Sequence, residues 1–184
     1  MKKYLIGAIV GGLLIFIWQF LSFALVNIHE PAQNYTEKEG DIINFLSSID
    51  LPEGGYVVPT VPPGASMDEA KAKMDSCAGK PWAIIQYHKA MEENMTMNMV
   101  RGFFTNVVMI LIFCWLVGKF VSPSSGTIIL AALATGFIVF LNAHYTNHIW
   151  YETFDIWAHL LDAVVSWGLA GIWLSWWLRR GKRA

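Results

Sequence analysis

The sequence predicts an α-helical integral membrane protein, a four-transmembrane-helix bundle with a small α/β cap between helices 1 and 2. Three observations predict it. Apolar stretches cover residues 4–27, 102–121, 126 to about 145 and about 154 to 178. Each is close to the roughly 20 residues that carry a helix across about 30 Å of hydrocarbon. The charges are segregated: Lys2, Lys3, Lys119, Arg179, Arg180, Lys182 and Arg183 flank one side of these stretches, and all 14 acidic residues lie on the other side or in the outer half of the fourth. Because cytoplasmic loops collect Lys and Arg, both termini and the turn between helices 2 and 3 are expected in the cytoplasm. The third observation is a polar segment of about seventy residues between helices 1 and 2, long enough to fold.

Composition agrees. A chain of 184 residues is one domain in length, but 55% hydrophobic residues and nine Trp, with a mean hydropathy of +0.43, are not those of a soluble globule. Trp82, Trp150, Trp157, Trp176 and Trp177 fall near expected helix ends, where amphipathic rings favour the headgroup layer.

Residues 1–27 form the first division of the chain. Met1-Lys2-Lys3 before an apolar run and small residues around Ser22 and Ala24 imitate a signal peptide, but the apolar run exceeds a typical signal core, and a retained anchor is expected. Gly7, Gly11 and Gly12 give this helix a small-residue face with one Gly-x-x-x-Gly match, which suits close packing within the bundle.

Residues 28–101 form the cap. Thr36-Glu37-Lys38-Glu39 reads as a capping box opening a helix with Ile42, Ile43, Phe45, Leu46 and Ile49 on one side, stopped by Pro52 and Gly54-Gly55. Gly55 to Pro59 reads as a strand, followed by an extended Pro-rich stretch to Gly64. Ser66-Met67-Asp68-Glu69 is a second capping box, for a helix ending by Gly79, and Trp82 to Tyr87 is a second strand able to pair with the first. Residues 89–99 look helical and continuous with helix 2. Residues 102–184 hold helices 2–4 and the basic tail, with a very short turn at 119–125 making helices 2 and 3 an antiparallel hairpin.

Chemistry concentrates at the start of helix 4. His148, Glu152, Asp155, His159, Asp162 and Ser166 follow one another at intervals of four, three, four, three and four residues, which places them within an arc of roughly 80° on one helix. His144 continues the series beyond an expected chain reversal. His148, Glu152 and Asp155 are read most plainly as solvated groups above the headgroups. His159 and Asp162 lie inside the apolar run, Asp162 about 25 Å along the helix from Arg179, and ionisable groups at such depth face a bundle interior or a wet cavity. Gln19 and Ser22 in helix 1, Thr105 and Asn106 in helix 2, and Asn142 and His144 in helix 3 sit at similar depth. The expectation is a polar pocket of Gln19, Ser22, Asn106, Asn142, His144, Asp155, His159, Asp162 and Ser166, open to the outside. Its least demanding use is interhelical hydrogen bonding; the others are proton or ligand handling and a metal site drawn from His148, Glu152, Asp155, His159 and Asp162.

Met91, Met95 and Met99, with Met97 and His88 close by, are a weaker metal candidate. Thioethers suit Cu(I), but methionine is also an adaptable packing residue. Cys77 and Cys114 are expected too far apart for a disulfide. No Gly-rich phosphate loop, nucleophile elbow or His-Glu-x-x-His is present, so the sequence assigns no catalytic residue and names no cofactor. Arg179-Arg180-Gly181-Lys182-Arg183 reads as a topology signal that meets anionic lipid, not as a nucleic-acid site.

The pattern Gly7-x-x-x-Gly11-Gly12-x-x-x-Phe16-x-Trp18-x-x-x-Ser22, followed by Gly55-Tyr56-x-x-Pro59 and three closing helices, resembles a loosely defined group of uncharacterised bacterial four-helix inner-membrane proteins. The resemblance implies a bacterial inner membrane and hence a periplasmic cap; it implies no activity. Small size, a cap with little core and the lack of catalytic motifs favour a non-catalytic interaction protein, an accessory or assembly subunit partnered by the bilayer and other membrane-protein subunits. The alternative is a protein that binds or transports a metal ion, proton or small ligand through the pocket around His159 and Asp162.

Overall fold

The computed structural model describes residues 1–180. Lys182 and Arg183, counted above toward a cytoplasmic C-terminus, lie outside the described residues. In chain order the elements are α1 (Lys2–Phe20), α2 (Glu39–Ser48), β1 (Gly54–Val58), α3 (Met67–Cys77), β2 (Ala83–Tyr87), α4 (Met95–Val117), α5 (Ser125–Val139), α6 (Thr146–Trp150) and α7 (Ile156–Trp177). The chain divides into two compact units: Met1–Asn34 with the chain from Asn94 onward, and Tyr35–Glu93.

The first unit contains four helices long and apolar enough to cross a membrane, Lys2–Leu25, Met95–Val117, Ser125–Trp150 and Ile156–Trp177. Two are composite. α1 runs into a π-helical turn at Leu21–Leu25, and α5 continues through a second π-helical turn at Phe140–Tyr145 into α6. α1 packs on α4 and α7, and α7 on α1 and α5, so α1 and α7 are the central pair.

Small residues set these approaches. A Cβ on Gly12 would lie 2.8 Å from the Val107 backbone nitrogen, and one on Gly11 2.9 Å from Ile110 Cγ2, so the glycine face of α1 seats α4 directly. A Cβ on Gly171 would meet that of Ala132 at 2.8 Å, and one on Gly136 would lie 2.6 Å from the Trp167 ring, which brings α5 against α7 in the same way. On the other side of α1, Trp177 Nε1 donates to Lys3 O at 2.8 Å and Trp173 Nε1 to Gly7 O at 3.1 Å. Two indoles one turn apart thus satisfy their only donors on carbonyls one turn apart. Ala8, Ile15, Ile110, Phe113, Cys114, Ile128, Ala170 and Leu174 form the buried core. The outward apolar rows, Leu5, Ile9, Leu13 and Ile17 on α1 among them, are exposed to an extent unsuited to water.

Two expected boundaries are corrected. α4 begins at Met95, so of residues 89–99 only the last five are helical. The third long helix continues to Trp150, and the chain reverses between Trp150 and Ile156. His148 therefore belongs to α6 and Glu152 to the connection, and the six-residue stripe on one helix is cut to its last four members.

In the second unit, β1 and β2 pair antiparallel in the register Gly54 with Tyr87 through Val58 with Ala83. The Ser66 capping box forms: Ser66 Oγ accepts from Glu69 N at 3.2 Å and Glu69 Oε2 accepts from Ser66 N at 2.7 Å. The bond from Ser66 N, and a second from Ser66 Oγ to the same Glu69 Oε2 at 3.0 Å, hold the Glu69 carboxyl below its ordinary pKa. α3 then ends before Gly79, whose φ of +74° suits glycine. The expected box at Thr36 does not form. Thr36 Oγ1 accepts from Lys38 N in a tight local turn, and α2 starts only at Glu39 without a side-chain cap. Cys77 and Cys114 are both free.

Candidate cation site

The polar groups of the first unit converge where α1 ends and α7 begins, at the end of the bundle opposite Lys3, Lys119 and Arg179. The centre is His29, which is fully buried. It lies beyond the π-helical turn of α1 in a loop fixed by three features. Asn27 takes φ +50°, a conformation that Asn tolerates better than most residues. Ile28 N donates to Ser22 O at 2.9 Å, and Ala32 N to His29 O at 3.0 Å, closing the 3₁₀ turn Glu30–Ala32 with Pro31 inside it.

Both ring nitrogens of His29 meet carboxylates. Nδ1 is 2.8 Å from Asp155 Oδ2, and Nε2 is 3.0 Å from Asp162 Oδ2. Asp155 is the residue before α7, and its backbone carbonyl accepts from His159 N at 3.1 Å. One turn into α7, His159 directs Nε2 to the same Asp155 Oδ2 at 3.3 Å. Two imidazole nitrogens from different elements therefore converge on one carboxylate oxygen.

Asp162 is held from α1. Trp18 Nε1 donates to Oδ1 at 2.8 Å and Ser22 Oγ to Oδ2 at 3.4 Å. Trp18 and Ser22 are four apart and share a helix face. The rings are stacked as well: Phe23 lies on His29 with centroids 3.8 Å apart and planes within 6°, and His144 lies on His159 at 3.9 Å and 18°. Ser22 and His144 both belong to π-helical turns. Such turns re-aim side chains at functional sites more often than elsewhere, and here one from each composite helix faces the same cluster.

Of the nine expected pocket residues, Ser22, His144, Asp155, His159 and Asp162 join this cluster. Gln19 and Asn106 form a separate pair, Asn106 Nδ2 donating to Gln19 Oε1 at 2.7 Å. Ser166 is buried one turn further along α7, outside the hydrogen-bonded set, and Asn142 is exposed. Among the metal candidates, His148 Nδ1 accepts from Thr153 N at 3.0 Å and so closes the reversal into α7. Glu152 is exposed. Met91, Met95 and Met99 are exposed, and Met91 lies before α4, so the three do not share one helix face; His88 pairs with Glu53 at 3.0 Å.

The residues missed from sequence are His29 and Trp18. Trp18 was legible only as one letter of a helix-1 pattern. His29 carried one signal, a histidine just beyond a helix end with Asn two positions before it. Comparison with protein-family models, with curated proteins and with solved structures gives no match to this chain.

Proposed function

We propose that this chain is a multi-pass protein of the bacterial inner membrane, termini in the cytoplasm, that binds a small cation at the outer ends of its helices. One observation carries the reading: fully buried His29 presents both ring nitrogens to carboxylates. A carboxylate only accepts hydrogen bonds, and a neutral imidazole has one N–H and one lone pair. With a neutral ring, one of the two contacts sets a lone pair against a carboxylate oxygen. Both contacts are attractive only when the cluster holds one more positive charge, a proton or a metal ion. Two carboxylates around a buried ring are costly in such surroundings without that charge. The orientation rests on the charge segregation along the chain.

The test is thermal unfolding of the purified full chain across sodium, magnesium, zinc and proton concentrations, beside Asp155→Asn and Asp162→Asn. The reading expects at least one cation to raise the midpoint of the wild type and to lose its effect in the variants. Equal responses in all three proteins would leave the cluster as a packing device.

A second reading, an accessory subunit, is favoured by a different observation. Ile42, Ile43 and Phe45 on α2 and Ile49 just after it are each about half exposed, between 49% and 62%. Gentle purification from the native membrane, with particle mass and co-purifying chains recorded, tests it: stoichiometric larger chains support it, and a homogeneous small particle does not.

A further inference from the structure

We infer that the cation is a divalent first-row transition metal ion of the zinc kind, bound by His29 Nδ1, Asp155 Oδ2 and His159 Nε2, with Asp162 as the outer carboxylate that orients His29. The inference rests on the cation-site reading and names the ion.

The ligand atoms are already gathered. One atom each from His29, Asp155 and His159 lies within 4.8 Å of the other two, and the two nitrogen–oxygen separations are 2.8 and 3.3 Å. An ion at about 2.1 Å from each of three tetrahedral ligands needs them about 3.4 Å apart. The imidazole–carboxylate pairs are near that spacing, and the two imidazole nitrogens, no more than 4.8 Å apart, reach it by closing up to about 1.4 Å, shared between the two rings. His159 stands in the first turn of α7, Asp155 immediately precedes that helix, and His29 arrives from the pinned loop after α1.

A metal on the Nδ1 side sets the tautomer. Asp162, held by Trp18 and Ser22, then accepts from His29 Nε2. A proton on Nε2 leaves the Nδ1 lone pair directed at Asp155 and His159. A ligating histidine whose other nitrogen donates to a held carboxylate is the usual outer arrangement of a transition-metal site. The stacked rings of Phe23 and His144 restrict the two ligand imidazoles further. The same geometry also accounts for the contact that a neutral ring leaves unfavourable, because the metal supplies the missing charge on the Nδ1 side.

The donor set selects the ion. Two imidazoles and one carboxylate suit zinc, iron(II), cobalt(II) and their neighbours. Calcium takes six to eight oxygens and magnesium a near-octahedral oxygen shell, which one ligating carboxylate does not provide. Copper(I) prefers sulfur, and neither described cysteine belongs to the cluster: Cys114 is in the apolar core and Cys77 in the second unit. Three protein ligands leave the ion an open position for water or a passing ligand.

The test uses the full chain in detergent, stripped with EDTA and titrated with zinc chloride by calorimetry and with cobalt chloride by visible absorption. Magnesium chloride and His88→Gln are the controls. One equivalent of zinc, cobalt bands typical of low coordination, and no response to magnesium are expected. His159→Gln, at a ring 22% exposed, should abolish the cobalt bands while eluting as the wild type does. Asp162→Asn should weaken zinc binding by about 10–100-fold, and His88→Gln should change nothing. Wild type without zinc heat or cobalt bands overturns the inference whether or not any variant folds. Binding that survives His159→Gln and Asp155→Asn alike overturns it too. If zinc and cobalt fail while the unfolding midpoint still follows another cation through Asp155 and Asp162, the cation reading stands and only the metal falls; if no cation acts through them, both fall.

Discussion

Replacing Asp162 separates a charge balance from simple packing, because Leu and Asn fail in different ways. Asp162 accepts from Trp18 Nε1 at 2.8 Å and from Ser22 Oγ at 3.4 Å, and its Oδ2 lies 3.0 Å from His29 Nε2. Ser22 Oγ has a second acceptor in Gln19 O at 3.3 Å, so Asp162→Leu strands two groups, the indole N–H and one imidazole nitrogen. A stranded buried polar group costs about 1–3 kcal/mol. Asp162 is 17% exposed, so water offsets part of this, and about 3 kcal/mol in total is expected. For a chain of this size that lowers the unfolding midpoint by roughly 6–12 °C. Asp162→Asn keeps an oxygen for Trp18 and turns its NH₂ toward His29, which then carries its proton on Nδ1 and donates to Asp155. Every donor keeps an acceptor without an added cation, and the metal-free protein should change by less than about 1 kcal/mol. Buried Cys114 serves as the reporter: in a Cys77→Ser background, a fluorogenic maleimide reacts only as the core opens. Asn as damaging as Leu, or Leu without effect, would refute the reasoning.

Further outcomes follow from the packing, the cap and the charge pattern. Gly12→Ala drives a Cβ against the Val107 backbone at 2.8 Å, where no side chain can yield. It should cost about 1–3 kcal/mol in the same assay, whereas Gly40→Ala in α2, with nothing within 4 Å, should be neutral or stabilising by up to about 1 kcal/mol. The Glu69 carboxyl should titrate below 4.5 in a carbonyl-resolved NMR titration. Because its folded value is the lower one, its contribution to α3 is present above 4.5 and lost as pH falls through the folded value, so the first turn of α3 should then exchange amide protons faster. Ser66→Ala removes only the Oγ bond and keeps the larger backbone one, so it should return the midpoint part of the way toward 4.5; an unchanged midpoint contradicts the role of the Ser66 hydroxyl. An impermeant maleimide should label Cys77 in intact spheroplasts and fail to label Lys119→Cys, and the reverse pattern would invert the proposed topology.

Physical reasons separate what the sequence displayed from what it hid. The four long helices were legible because apolar length is a bulk property, and the antiparallel strands because Gly, Pro and β-branched residues punctuate them. The depth of Asp162 and His159 marked them as unusual before any contact was known. The reversal before α7 was expected, but beside His144 and not after Trp150. Residues 151–155 contain neither Gly nor Pro, so the helical period ran straight through, and the turn is closed by a side chain, His148 accepting from Thr153 N. That reversal removed His148 and Glu152 from the stripe and returned His144 to stack on His159. His29 was hidden because its burial depends on where the loop after α1 falls against α7, a long-range fact with no periodicity of its own. The two π-helical turns have no sequence signature, yet they aim Ser22 and His144 at the cluster.

The most direct test is X-ray absorption at the zinc edge on the purified, zinc-loaded full chain, with His29→Gln beside it. The account predicts a low-coordinate shell of nitrogen and oxygen at about 2.0–2.1 Å, with the outer scattering of two imidazoles and no sulfur, and loss of that shell in the variant. A sulfur shell, or an all-oxygen shell that His29→Gln leaves unchanged, would place the ion elsewhere and contradict the account.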